Sequence, residues 1–206
     1  MKHITLLSLA FALILALASM AGAQEKRPPI EAFGSDSPER GTTRVGYWDN
    51  AKNKGTGQFA IDYGRPVWKA AYEDAGRFDT MTKGKTWRMG SNYWTALDTD
   101  MPLTIAGKTV PAGLWYLGLH RSDDGSKWSL IFIDPAKVRS AHMDASEINR
   151  APVEFEAPVA MEAPGELRDK LTIDLAYQQS NLQEVTLKIA WGKLRLSAPI
   201  KVPVGS

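Results

Sequence analysis

Leu171-Thr172-Ile173-Asp174-Leu175-Ala176-Tyr177 has the clearest period in the chain: Leu171, Ile173, Leu175 and Tyr177 fall at every second position, with Thr172, Asp174 and Ala176 between them. Successive side chains of an extended chain point to opposite faces, so this run has one apolar and one water-tolerant face. The pattern repeats twice downstream. Val185, Leu187, Ile189 and Trp191 alternate with Thr186 and Lys188, and Leu194, Leu196, Ala198 and Ile200 alternate with Arg195 and Ser197. Gly192-Lys193 between these runs reads as a two-residue hairpin turn, glycine supplying the positive φ it requires. Half-buried antiparallel strands produce this pattern.

Upstream the period is the same. Phe59, Ile61 and Tyr63 form one face, as do Tyr93, Thr95 and Leu97, and Trp128, Leu130 and Phe132. Ser122-Asp123-Asp124-Gly125 turns the run around Trp115 into that around Trp128, and Ala106-Gly107 joins 102–105 to 108–110. About nine short strands with frequent turn signals predict an all-β fold, an antiparallel, jelly-roll-like β-sandwich. At most one or two short helices accompany it. Asp134-Pro135 is an N-cap and first-turn pair that predicts a helix over 135–141, and a helical turn is expected around Lys69–Asp74. Met143 to Pro152 reads as an exposed loop. Trp115, Trp128 and Trp191 are assigned to the core, whereas Trp48, Trp68, Trp87 and Trp94 flank Gly or polar residues and are candidates for a binding surface.

At the start of the chain, Lys2 and His3 precede an apolar run from Ile4 to Ala18, followed by Ala21-Gly22-Ala23 and polar Gln24-Glu25-Lys26-Arg27. This is the layout of a secretory signal peptide; an uncleaved anchor is the alternative. The expected organisation is a signal peptide over 1–23, a Pro-containing flexible leader over 24–43 and a single β-sandwich domain over 44–206. The mature protein is then exported, periplasmic or secreted. No later apolar stretch is long enough to span a membrane.

Composition excludes several functions. Lys and Arg number 25 against 23 Asp and Glu, a net charge of +2, which provides no concentrated basic face for nucleic acid. The absence of Cys removes disulfides, thiol nucleophiles and thiolate metal sites. Beyond the signal only His120 and His142 remain, too few for the usual catalytic zinc site, so no metal and no cofactor is expected. Gly84-Lys85-Thr86 ends like a phosphate-binding loop, but Asp79 stands where its first Gly belongs. Ser91 lacks the Gly-x-Ser-x-Gly elbow. No catalytic constellation is legible.

The densest cluster of site-forming residue types is Asp62-Tyr63-Gly64-Arg65-Pro66 with Trp87-Arg88-Met89-Gly90-Ser91-Asn92. Each segment places an Arg beside a Gly at a strand end, and planar guanidinium groups suit bidentate capture of carboxylate or phosphate. The structural alternative is that Arg65 or Arg88 pairs with Asp62 or Asp98 to pin two loops. His120, after the Trp115–Leu119 strand, caps it or joins the cluster.

These segments, with Pro111-Ala112-Gly113 and Trp128-Ser129-Leu130-Ile131, resemble an exported bacterial family catalogued only as domain of unknown function 2911. The resemblance spans roughly Phe59 to Val202 and implies a signal peptide and a β-rich domain, with no established activity. Members usually show Gly-Ala-Asn-Glu followed by Ala-Thr; here Tyr93 replaces the Glu. An aromatic pair at that place suits ligand stacking better than proton transfer.

The leading expectation is an exported domain that binds a small molecule or glycan. Arg65 and Arg88 hold an anionic or hydroxyl-rich group, Asn92 orients it, Trp87 or Trp94 gives a stacking face, and Asp62 and His120 complete the site. A hydrolase using paired carboxylates, Asp62 with Asp98 or Asp100, is one alternative. A protein-interaction module is the other, docking through a sheet face or Val67–Gly84.

Overall fold

The computed structural model describes Ile30 and residues 39–204. The expected signal peptide, and most of the expected leader, lie outside the described residues. Twelve strands form among them: β1 (Arg40–Asp49), β2 (Lys54–Gly64), β3 (Lys85–Trp87), β4 (Thr95–Thr99), β5 (Leu103–Ile105), β6 (Lys108–Val110), β7 (Gly113–Arg121), β8 (Trp128–Ile133), β9 (Phe155–Met161), β10 (Arg168–Gln178), β11 (Asn181–Gly192) and β12 (Leu194–Lys201). Two helices, α1 (Ala75–Thr82) and α2 (Pro135–Ser140), and 3-10 turns at Ala70–Tyr72 and Ala145–Arg150 complete it.

Neighbouring strands follow the path β1-β2-β4-β7-β8-β9-β12-β11-β10, with β3 on β7 and the β5–β6 hairpin on β12. All these strand pairs are antiparallel. Strand β9 hands the chain from one layer to the other: Phe155–Val159 pair with β8, whereas Ala160 and Met161 pair with β12. Pro158, which has no N–H to give to a ladder, sits just before the hand-over. The layers enclose Phe59, Leu117, Leu130 and Phe132 on one side and Leu171, Leu187 and Leu196 on the other, all at most 1% exposed. Each such side chain contributes about 1.5–3 kcal/mol by leaving water. This is the all-β sandwich that the alternation predicts.

Differences from the sequence reading are local. Strand β1 starts at Arg40, inside the stretch read as leader, and β3 and β9 were not anticipated as strands. Tyr93 precedes β4 rather than belonging to it. The 143–152 stretch is no plain loop: Asp144 and Glu147 form a reciprocal capping box that starts the 3-10 turn and buries Ile148. Ile148 joins Ile131, Ile133 and Val138 in a second small core on the outer face of β8. Helix α2 begins as predicted, the Asp134 carboxylate accepting the Ala136 N–H at 2.8 Å.

Candidate functional site

Two turns meet because neither has a side chain where they touch. A Cβ on Gly64, at the end of β2, would lie 2.4 Å from the carbonyl oxygen of Ser91. One on Gly90 would lie 3.1 Å from the Gly64 nitrogen. The Arg65 turn and the Arg88 turn therefore pack backbone to backbone. Met89 and Asn92 both have left-handed φ, which coils the second turn, and the buried Thr95 hydroxyl donates to the Met89 carbonyl at 2.8 Å to hold it.

Beside this junction lies a cavity of about 390 Å³. Trp87, Trp128, Trp191, Tyr72 and Phe78 wall it. Trp191 is the fixed point: its indole N–H donates to the Pro66 carbonyl at 2.9 Å, and Trp87 stacks on it with centroids 4.8 Å apart. Behind Trp191, Trp68 lies against the β11–β12 turn; a Cβ on Gly192, at φ +57°, would strike its ring at 2.4 Å. Helix α1 closes one side. Asp79 of that helix accepts from Arg121 at 2.8 Å and Lys83 at 2.6 Å, and the Arg121 guanidinium covers the Phe78 and Trp128 rings.

The polar lining is one-sided in charge. Lys69, Lys85 and Arg88 line the cavity, and no Asp or Glu among the described residues does. Lys85 donates to the Thr80 carbonyl at 2.7 Å. Arg88 takes part in no ion pair among the described residues. Its charge is felt at Asp144, whose carboxyl is held below the usual range by hydrogen bonds from Ser146 first and by Arg88 last. Ser91, also in the lining, has a buried hydroxyl with no partner. Asn149 accepts the Thr86 N–H at 2.8 Å.

Of the residues expected to form one site, Trp87 and Arg88 line this cavity. The others do not line it. Arg65 is engaged outside the cavity lining, by Glu39 at 2.5 Å and the Leu171 carbonyl at 3.3 Å. Asp62 is taken by Arg40 and by the Thr42 hydroxyl at 3.1 Å. Trp94 stacks flat on Tyr116, centroids 4.9 Å apart, over the second small core. His120 shares a 3.2 Å hydrogen bond with Thr86, one residue from Trp87. Asn92 is exposed and sets the turn by its left-handed backbone. Tyr72, Phe78, Trp128 and Trp191 also line it, outside the residues the sequence points to. Trp191 read as core by its alternation, and its place next to the hairpin glycine was the available signal.

The carboxylates named for hydrolysis lie elsewhere. By register Asp62 opposes Ala96 and Ala60 opposes Asp98, which puts both acids on the same face of that sheet. Asp100 accepts the Gln58 N–H at 2.7 Å.

A family model described as "Protein of unknown function (DUF2911)" matches residues 49–200. No curated protein and no solved structure matches the chain.

Proposed function

The chain belongs to this family of unknown function, and on that premise we propose that its aromatic cavity binds a small, flat, anionic molecule in an exported binding protein. One observation carries the reading: three cationic residues and five aromatic rings line the cavity, without a carboxylate among the described lining residues. Indole and phenol rings favour a planar apolar body, and the guanidinium of Arg88 favours a carboxylate or phosphate at its edge. Arg88 suits this role because no carboxylate forms an ion pair with it among the described residues. Binding is favoured over hydrolysis, since Asp62, Asp98 and Asp100 do not line the cavity. The export half of the proposal rests on the charged start, apolar middle and Ala21-Gly22-Ala23 of the sequence.

Trp87, Trp128 and Trp191 make the cavity its own reporter. Indole-3-acetate, benzoate and phenyl phosphate are expected to change tryptophan fluorescence saturably, and cationic benzamidine is not. Equal binding of benzamidine, or no response to all three anions, overturns the proposal.

A further inference from the structure

The opposite end of the sandwich carries a surface of different chemistry. Strand β1 runs from Arg40, paired with Gly64 at the cavity junction, to Asp49, paired with Lys54. Strand β10 likewise runs from Arg168, opposite Gly192, to Gln178, opposite Asn181. At these far ends two hollows of about 610 and 440 Å³ share Gly46, Tyr47 and Trp48. Trp48 is 59% exposed, and Tyr177 in the larger hollow is 48% exposed. The Trp48 indole makes no ring contact and no hydrogen bond among the described residues. On the smaller hollow's side its neighbours include Gly46, Gly55 and Gly57, none of which has a side chain to cover the ring.

The polar partners are mostly uncharged and idle. Asn50 and Gln179 line the larger hollow, and their side-chain amides have no partner among the described residues. Lys52 and Asp49 neutralise each other at 3.2 Å. The Tyr47 side chain is 8% exposed, and its buried hydroxyl has no hydrogen-bond partner. Burial, and Tyr177 beside it, push that phenol above its ordinary pKa, so it stays a neutral donor.

We infer that Trp48, with Tyr177, Asn50 and Gln179, forms a second binding site, one for a neutral oligosaccharide chain laid across the two hollows. A pyranose presents a C–H-rich face to an aromatic ring and hydroxyl groups at its rim, and free side-chain amides can both donate to and accept from hydroxyls. Asp100 lines the smaller hollow and accepts the Gln58 N–H, as a carboxylate can from a sugar hydroxyl. Among the described residues the one cation lining either hollow, Lys52, is paired with Asp49; the lack of a free cation separates this surface from the cationic cavity. It is independent of the cavity's proposed ligand.

The test titrates the full chain with cellohexaose, xylohexaose, maltohexaose and hexa-N-acetylchitohexaose by calorimetry. At least one is expected to bind, with Trp48→Ala and Tyr177→Ala each weakening it about tenfold or more and Arg88→Ala leaving it unchanged. Both variants alter exposed side chains, and an unchanged melting temperature confirms their fold. The inference is overturned if no hexasaccharide binds, or if Trp48→Ala binds as the parent does. It is equally overturned if sedimentation shows a dimer that Trp48→Ala abolishes, since a second copy is then the occupant.

Discussion

The Tyr63 hydroxyl serves both backbone groups of Ile173, receiving its N–H at 3.0 Å and donating to its carbonyl at 3.2 Å. Among the strands β10 pairs only with β11; on its other edge the 66–68 segment hydrogen-bonds to Asp169 and Leu171, and Ile173 comes next, beyond the reach of that segment. The Tyr63 phenol continues that edge at Ile173, where the 66–68 segment no longer pairs. Tyr63→Phe is expected to leave two buried backbone groups without partners and to cost about 1–3 kcal/mol. Denaturant unfolding with an unchanged m-value reads that cost directly. A loss below about 0.5 kcal/mol shows that water replaces the hydroxyl.

The junction of the two turns predicts a second effect. Gly64→Ala places its methyl against the backbone of Ser91, which has no side-chain freedom with which to give way. Overpacking of this kind costs about 1–3 kcal/mol. It also displaces the Arg88 turn, so binding in the cavity falls with stability. Gly55→Ala is the control: its Cβ would approach nothing closer than 4.0 Å, and its stability stays within about 0.5 kcal/mol of the parent.

Helix α1 should loosen in acid. Hydrogen bonds from Lys83, then Arg121, hold the Asp79 carboxyl below the ordinary value of 3.8. Because the folded-state value is the lower one, the unfolded chain takes up the proton first. The stabilisation is therefore complete above about pH 4 and fades as pH falls towards the folded value. Protection against hydrogen exchange in 75–82, relative to the intrinsic rate at each pH, is expected to fall as pH drops below about 4, ahead of the β-sandwich. Asp79→Asn should show the faster exchange already at neutral pH and lose that acid step. An acid step that survives in Asp79→Asn assigns the titration to another group.

The sequence carried the strands better than the site for a physical reason. Alternation along 171–177, 185–191 and 194–200 reports a face buried against a second layer, and the core repeats it except at the run ends, where Tyr177 is exposed and Leu194 only half-buried. The short strand β3 has three residues, too few for a period to show. Site membership depends on direction as well as neighbourhood. Gly64 and Gly90 do bring both arginine turns together, yet Arg65 leaves the turn towards Glu39 while Arg88 faces the cavity. Glu39, which claims Arg65, lies in the 24–43 stretch, where no period in the sequence marks a structural partner. Trp94 illustrates the same limit, because its ring turns to Tyr116 on the adjoining strand β7.

That divergence separates the two arginines by experiment. Arg88 makes no ion pair among the described residues, so Arg88→Ala is expected to leave stability within about 0.5 kcal/mol. Its loss removes a charge-assisted hydrogen bond to an anionic ligand, which corresponds to about tenfold or more in affinity. Arg65 joins Glu39 to the Leu171 carbonyl and so ties the start of β1 to β10; Lys170 reinforces the pairing on the same carboxylate. Arg65→Met should lower the melting temperature by a few degrees and leave the affinity for indole-3-acetate intact. Thermal unfolding and fluorescence titration of the two variants side by side decide the matter. If Arg65→Met weakens binding as much as Arg88→Ala does, the anion is held by the paired turns as a unit, and the guanidinium of Arg88 is not its principal partner.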